Sequence, residues 1–272
     1  MLTERDCKRG MKKKKQIVYY TDEMNDEFST AKIKPKRIDE TYVYIRSSVL
    51  AKLAHIVLYR MIATPSALLF LKLRFHHRIK NKKILKAYRK KAFFLYGNHT
   101  QAIADALIPS AISFPKSAYV IAHPNNVSMP FLGRLTPALG ALPLPDTLRA
   151  NRNFLQAVEQ RLKEKSVIAV YPEAHIWPYY TGIRPFSDKS FFYPVKYKTP
   201  VFCFTNTYEK RRFGKRPKIV TYVDGPFFPQ KERSFPEQRA ELRECVYRCM
   251  LGRSRCSNVA YIEYRRKRAA HD

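Results

Sequence analysis

Short apolar runs that alternate with helix-length segments constrain the fold of this chain more than any other feature. The runs occupy residues 93–96, 118–122, 141–144, 167–171, 201–205 and 219–223. Short continuous apolar runs are typical of buried strands, and strands that alternate with helices favour a parallel sheet. The pattern predicts an α/β fold with a mixed, largely parallel sheet flanked by helices.

An apolar stretch, residues 53–73, precedes these strands. It is long enough to cross a bilayer, but His55, Arg60, Pro65 and Lys72 interrupt it, and a dense basic flank follows. These features favour an N-terminal apolar helical hairpin, bent near Pro65, that lies shallowly in a membrane interface. The basic flank favours the cytoplasmic side of that membrane. A buried amphipathic hairpin that caps the domain is the alternative interpretation.

The charge balance restricts the partners of the protein. Its 272 residues include 52 Lys and Arg against 22 Asp and Glu, a formal net charge of +30. Such a chain requires an anionic partner. A phospholipid surface, a phosphorylated substrate, an acidic carrier and a nucleic acid all satisfy that requirement, and charge alone does not choose among them.

Length and cysteine usage indicate the domain organisation and the compartment. The length suits one substantial α/β domain, residues 91–272, preceded by a basic, weakly ordered lead, residues 1–45, and a membrane-interacting helical segment, residues 46–90. The five cysteines show neither paired metal-ligand spacing nor a secreted disulfide pattern. They are interpreted as reduced thiols in the cytoplasm.

The strongest candidate for chemistry is His99, in a tight turn after the run at residues 93–96. Asp105 lies in the first turns of a helix predicted for residues 101–108, which Pro109 is expected to end. An imidazole there can accept a proton from a substrate hydroxyl, and a nearby carboxylate can fix its tautomer. The alternative is a surface histidine beside a helix whose N-terminal acid is stabilised by the helix dipole.

Four blocks of sequence resemble the glycerolphosphate and lysophosphatidate acyltransferases. Residues 98–105, NHTQAIAD, are similar to the first motif of that family, in which four residues rather than five separate the histidine from the aspartate. Residues 170–177, VYPEAHIW, are similar to a second motif, with Ala174 and Ile176 where the family has glycine and arginine. Residues 140–146 and 199–201 stand at the places of two further motifs. The blocks follow the family order.

The resemblance implies roles for seven residues. His99 would be the catalytic base and Asp105 would orient it. The implied substrate-binding residues are Asn98, Glu173, Arg149, Arg152 and Arg184, with Glu173 associated with the phosphorylated acceptor and the arginines with its phosphate. In the alternative interpretation Glu173 caps a loop or pairs with an arginine, while Arg149 and Arg152 are solvated surface charges.

The resemblance also implies a function. It indicates a membrane-associated acyltransferase of phospholipid biosynthesis that moves a fatty acyl group from acyl-CoA or acyl carrier protein to a hydroxyl of lysophosphatidate or a related lysophospholipid. The expected partner is an anionic phospholipid membrane. No metal, organic cofactor or nucleic acid is expected. The alternative function is a non-enzymatic basic protein that binds anionic membrane or nucleic acid. Serine esterases, zinc proteases and nucleotidases are disfavoured because their usual signatures are missing.

Overall fold

The computed structural model describes residues 16–28, 35–45, 48–128, 133 and 136–267. The strands are β1 (Gln16–Tyr20), β2 (Arg78–Lys80), β3 (Phe93–Gly97), β4 (Ala118–Ala122), β5 (Ala141–Pro143), β6 (Val167–Val170), β7 (Val201–Glu209), β8 (Lys218–Phe227) and β9 (Ile262–Arg266). The α-helices are α1 (Val49–His55), α2 (Thr64–Phe75), α3 (Ala104–Ser113), α4 (Asn125–Ser128), α5 (Leu148–Lys163), α6 (Phe192–Lys196) and α7 (Phe235–Ser254). A π-helical segment, Ile56–Ala63, joins α1 to α2, and Lys82–Tyr88 and Lys189–Phe191 form 3₁₀ turns.

The main sheet has seven strands in the order β2-β8-β7-β3-β6-β4-β5. The five strands β7, β3, β6, β4 and β5 are parallel to one another. Strand β8 is antiparallel to β7, and β2 is parallel to β8. The predicted α/β class with a mixed, largely parallel sheet is confirmed. The carboxyl ends of the five parallel strands share one edge, hereafter the carboxyl edge, where α/β sheets gather functional groups.

Strand β3 is packed on both faces. Phe94 and Tyr96 point into one hydrophobic cluster, together with residues of α5 and α7. Phe93 and Leu95 point into the other, together with residues of α2 and α3. A strand held on both sides has little freedom, so the turn that follows it is well positioned.

The apolar N-terminal stretch is helical, as predicted, but it is not a hairpin. The backbone stays helical through both junctions, with φ −62° and ψ −44° at His55 and φ −68° and ψ −47° at Thr64. Pro65 lies in the first turn of α2, directly after the π-helical segment, whose altered hydrogen bonding accommodates a residue without an N–H. The chain therefore continues past Pro65 instead of reversing. We call residues 49–75 the helical run.

One face of the helical run packs on the domain. Tyr59 and Leu71 are buried, and the Tyr59 hydroxyl lies 2.8 Å from Ser110 Oγ and accepts a 2.9 Å hydrogen bond from Ala118 N. By length and composition, Ile56–Phe75 is apolar enough to cross a membrane.

Described parts of the N-terminal stretch also pack on the domain, which differs from the weakly ordered lead expected for residues 1–45. Strand β1 pairs in parallel with β9 to form a separate two-stranded sheet. The N–H of Ile38, a buried residue, donates to the Asp146 carboxylate at 2.6 Å. The boundaries at residues 45 and 90 stay a prediction.

Candidate active site

The site begins in the turn that ends β3. Gly97 is required there because a Cβ would lie 2.0 Å from the ring of Phe204 on β7. Next in the chain, Asn98 pairs with the backbone of Asn206: its Nδ2 donates to the carbonyl at 3.1 Å and its Oδ1 accepts from the amide at 2.7 Å. Asn98 is 1% exposed. Both ends of its amide hold the turn against β7, which gives Asn98 a structural role, and its expected contact with substrate stays a prediction.

His99 and Asp105 form a hydrogen-bonded pair. The His99 Nδ1 lies 2.9 Å from Asp105 Oδ2, and their side chains are 18% and 1% exposed. A carboxylate oxygen only accepts, so Nδ1 carries the proton and the lone pair of Nε2 is left for a substrate. The amides of Thr100 and Gln101 donate to the same carboxylate oxygen, each at 2.8 Å. The loop thus absorbs the fifth intervening residue by wrapping around the carboxylate.

Burial sets the electrostatics of this pair. Desolvation raises the pKa of Asp105 above its usual range, and the hydrogen bond from His99 opposes that rise. A buried carboxylate must be hydrogen-bonded to stay ionised, which the surrounding donors provide.

Pro109 contributes to the site although the prediction that it ends the helix was wrong. Helix α3 continues to Ser113. Because proline has no N–H, the carbonyl of Asp105, four residues earlier, lacks its helical donor. The hydroxyl of Tyr171 donates to that carbonyl instead, and the Tyr171 ring stacks on His99 with centroids 4.6 Å apart. Tyr171 therefore holds both members of the pair.

Asn206 was missed by the sequence analysis and binds the second oxygen of Asp105. Its Nδ2 donates to Asp105 Oδ1 at 3.2 Å, and its Oδ1 accepts from Thr221 Oγ1 at 2.7 Å. The His77 Nε2 lies 2.8 Å from the same hydroxyl. Burial lowers the pKa of His77 to about 4, so this histidine is neutral at pH 7. Since the Thr221 proton is already donated, His77 donates to Thr221, and the whole chain of donors points towards Asp105.

Glu173 also holds the turn that carries His99, through a hydrogen bond to the backbone. Its Oε2 accepts from the His99 amide at 3.0 Å, and its Oε1 accepts from the Arg184 amide at 3.1 Å. The Arg184 guanidinium lies 3.6 Å from the carboxylate and stacks over Trp177 at 5.0 Å. Burial raises the pKa of Glu173, and the charge of Arg184 opposes that rise. The structure shows Glu173 paired with an arginine, as the alternative interpretation allowed, and its association with the phosphorylated acceptor stays a prediction.

Arg184 is buried and bonded within the loop that follows β6. Its side chain is 0% exposed, and its Nη2 donates to the carbonyl oxygens of Glu173 and His175. Because the guanidinium pairs with Glu173 and donates to these carbonyls, Arg184 has a structural role, and its expected contact with an acceptor phosphate stays a prediction.

The remaining two predicted residues lie apart from the histidine. Arg149 and Arg152 are exposed on the first turns of α5, which follows β5. Strand β5 is three positions from β3 in the sheet, about 14 Å at the usual strand spacing. Within the described residues, no hydrogen bond or ion pair joins either arginine to His99, and their role in substrate binding stays a prediction.

The N-terminal segment covers the loop after β6. The Trp177 indole donates to the Asp26 carbonyl at 2.7 Å, and the Phe28 amide donates to the Ile176 carbonyl at 3.3 Å. The Glu27 carboxylate accepts from the Ile176 amide at 3.2 Å. At the position where the resembled motif has arginine, this chain therefore uses the backbone of Ile176 to hold its own N-terminal segment.

One group of side chains has the composition of a metal site. Ligand atoms of Cys203, Asp224 and Cys249 lie within 4.8 Å of one another. Arg253 donates to both oxygens of Asp224, at 2.8 and 2.7 Å, so a cation already neutralises that carboxylate. The hydrogen bond with Cys249 and burial raise the pKa of Cys203, which makes this thiol a poor nucleophile. Cys7 lies outside the described residues.

Comparison with known proteins finds a family model that matches part of the chain and a solved structure with a similar fold. Residues 76–205 match the acyltransferase family model. No curated protein sequence matches the chain significantly. The fold is similar to that of the 1-acyl-sn-glycerophosphate (LPA) acyltransferase PlsC from Thermotoga maritima, with a TM-score of 0.54 and 18% sequence identity over 77% of this chain and 89% of that one. At this identity the similarity shows the fold alone.

Proposed function

We propose that this chain, of which residues 76–205 match the acyltransferase family model, moves a fatty acyl group from a thioester donor to a hydroxyl of lysophosphatidate or a related lysophospholipid. The observation that carries the proposal is the pair of His99 and Asp105, in which the carboxylate holds Nδ1 and no described residue hydrogen-bonds Nε2 at the carboxyl edge. That arrangement suits proton abstraction from an alcohol.

The reaction follows from the geometry of the pair. The Nε2 atom of His99 accepts the proton of the acceptor hydroxyl while the oxygen attacks the thioester carbonyl carbon. Asp105 remains ionised and stabilises the imidazolium. The tetrahedral oxyanion then collapses, the carbon–sulfur bond breaks, and the departing thiolate takes the proton back from His99. The products are the ester and the free thiol, and the histidine is restored.

The substrates are proposed from charge. An acceptor with a phosphate suits a chain of net charge +30, and the exposed Arg149 and Arg152 are the proposed phosphate contacts. The proposed donor is acyl-CoA or acyl carrier protein, both of which are anionic. No step of this reaction requires a metal or an organic cofactor.

The helical run supports attachment to a membrane, and the proposed location is the cytoplasmic face of the cell membrane. Its exposed apolar side chains are those of Val49, Leu50, Leu53, Ile56, Val57, Met61, Ile62, Leu69, Phe70 and Leu73. The opposite face of the run is bound to the domain through Tyr59 and Leu71. A helix with one face on protein and one apolar face open suits shallow insertion and peripheral attachment. The acceptor and product would then stay in the membrane during catalysis.

The rival function, a non-enzymatic basic protein, explains the charge and the apolar helix. It offers no reason to bury Asp105 beside His99 or to surround its carboxylate with directed donors, since burial of a charged group costs stability. We therefore favour the enzyme.

The test is acyl transfer from a labelled long-chain thioester to lysophosphatidate, with acyl-CoA and acyl carrier protein as alternative donors. His99→Ala should lower the rate by roughly 10²- to 10⁴-fold, because the general base is lost. His123→Ala removes an exposed histidine outside the pair and serves as the matched control. Equal activity of His99→Ala and the unaltered protein would contradict the mechanism. Lack of transfer by the unaltered protein with either donor would favour the rival function.

A further inference from the structure

The loop between β7 and β8 is strongly cationic and carries an exposed aromatic side chain at its tip. Residues 210–216 read KRRFGKR, which is five cations in seven residues with no acid. The Phe213 side chain is 79% exposed, and Gly214 turns the chain with a φ of +92°. We call residues 210–216 the cationic hairpin loop.

The cationic hairpin loop is tied to the end of the helical run. The Arg211 Nη2 donates to the carbonyl of Arg74 at 2.9 Å and to that of Pro217 at 3.2 Å. The amide of Lys210 donates to Asn258 Oδ1 at 2.9 Å. One of the five cations thus fastens the loop to α2, while Arg212, Lys215 and Arg216 are exposed and available to a partner.

The loop lies at the same edge of the sheet as His99. Two residues near the end of β7 contact the histidine turn: Asn206 binds Asp105, and the Tyr208 hydroxyl donates to Thr100 Oγ1 at 2.7 Å. The strand ends at Glu209 and the chain then enters the loop. Two further exposed apolar side chains belong to this edge. Ile103, in the loop between His99 and Asp105, is 62% exposed, and Leu73, in the last turn of α2, is 67% exposed.

We infer that the cationic hairpin loop is a second membrane contact, which docks on an anionic bilayer and turns the carboxyl edge towards the lipid. Phe213 enters the interface, and Arg212, Lys215 and Arg216 bind the headgroup phosphates. Two observations favour a bilayer over an acidic protein. The aromatic tip is surrounded by cations, as at a membrane interface, and it belongs to the same edge as Leu73 at the end of the exposed apolar helical run. This inference rests on the proposed function, because a lipid acceptor gives the edge its reason to face a membrane.

The test is binding of the full-length protein to phosphatidylcholine vesicles with and without phosphatidylserine, measured by co-sedimentation. Phe213→Ser should lower the affinity for anionic vesicles roughly tenfold. The pair of changes Lys215→Gln and Arg216→Gln should lower it roughly 30-fold and should have little effect with phosphatidylcholine alone. Loss of folding is checked by the circular dichroism spectrum, and none is expected because these side chains are exposed.

Matched controls lie at the other end of β8. Because β8 is antiparallel to β7, Phe228 and the residues after it lie at the opposite edge of the sheet. Phe228 is 56% exposed, and Lys231 and Arg233 are exposed cations nearby. Phe228→Ser and the pair Lys231→Gln and Arg233→Gln should leave vesicle affinity within about twofold. Equal losses at the two edges, or no loss in the loop variants, would overturn the inference.

Activity separates this inference from the proposed function. In detergent, where no bilayer must be docked, the loop variants should keep their rate of acyl transfer while His99→Ala loses it. His99→Ala should keep its vesicle affinity. If the unaltered protein shows no acyl transfer but its vesicle binding depends on the loop, the proposed function is refuted and the membrane contact still stands. Loop variants that lose affinity for acyl carrier protein but retain affinity for vesicles would refute the lipid contact.

Discussion

At the scale of single residues, the site is organised around the carboxylate of Asp105. Its two oxygens accept from His99 Nδ1, from the amides of Thr100 and Gln101, and from Asn206 Nδ2. These donors replace the water that burial removes, and hydrogen bonds to a charged group are stronger than those between neutral groups. They stabilise the ionised form that the histidine requires.

Asn206 should therefore control the pH dependence of acyl transfer. The active form has a neutral His99 and an ionised Asp105, and burial already raises the pKa of Asp105, so activity is lost as the pH falls through that value. Asn206→Leu removes a donor that stabilises only the ionised carboxylate, which raises this pKa further. The acid limb of kcat/KM should move to higher pH by roughly half a unit or more, which lowers the rate on that limb roughly threefold or more.

The neighbouring residue provides the control for that measurement. Thr205 is buried on the same strand, and its hydroxyl has no hydrogen-bond partner within the described residues. Thr205→Val should leave the pH profile in place. An Asn206→Leu profile that falls in height without moving along the pH axis would mean that Asn206 acts through packing alone.

At the scale of elements, two prolines show how packing decides where a helix ends. Pro65 and Pro109 were both expected to bend or end a helix, yet α2 contains the first and α3 contains the second. In the first case a π-helical segment precedes the proline, and in the second the Tyr171 hydroxyl donates to the carbonyl that the proline leaves free. The Tyr171 hydroxyl comes from another part of the fold, so a local pattern around Pro109 does not contain it.

One hydroxyl contributes several hydrogen bonds to the attachment of the helical run to the domain. The Tyr59 oxygen lies 2.8 Å from Ser110 Oγ, donates towards the Ala118 carbonyl at 3.1 Å and accepts from the Ala118 amide at 2.9 Å. Tyr59→Phe leaves these buried groups without their partner and should lower the free energy of unfolding by about 1–3 kcal/mol. Urea unfolding in detergent measures the change.

Tyr247→Phe is the matched control for this substitution. The Tyr247 ring packs against Phe186, and its hydroxyl makes no hydrogen bond within the described residues. We expect its free energy of unfolding to change by less than about 0.5 kcal/mol. Equal stabilities of the two variants would show that the Tyr59 hydroxyl does not contribute to the attachment.

At the scale of the whole molecule, the net charge of +30 should govern binding to membranes. Each lysine or arginine near an anionic surface contributes about 1 kcal/mol at low ionic strength, and salt screens that attraction. Affinity for phosphatidylserine-containing vesicles should fall at least roughly tenfold between about 0.05 and 0.5 M NaCl. Affinity for phosphatidylcholine vesicles reports the apolar contact and should change little. Equal salt dependence for the two vesicle types would contradict this assignment of the charge.

Much of the fold could be predicted because its information is local. The apolar runs that became β3, β6 and β7 indicate buried strands by composition, and their alternation with helices indicates a parallel sheet. The turn after β3 could likewise be identified from Gly97 and Asn98, and His99 from its place in that turn.

The tertiary structure alone decided which residues surround the histidine. Asn206 lies 101 residues from Asp105 in the sequence, and the Tyr171 hydroxyl lies 66 residues from the carbonyl it binds. These contacts exist because β7 and β6 flank β3 in the sheet with a particular register, which no local pattern encodes.

The same applies to Arg184, whose charge suggested a phosphate ligand, while the structure buries it against Glu173. The sequence by itself determined the strands and the turn that carries His99, because these depend on neighbouring residues. The order and register of the strands decided how that turn is held and which charges remain free to bind a substrate.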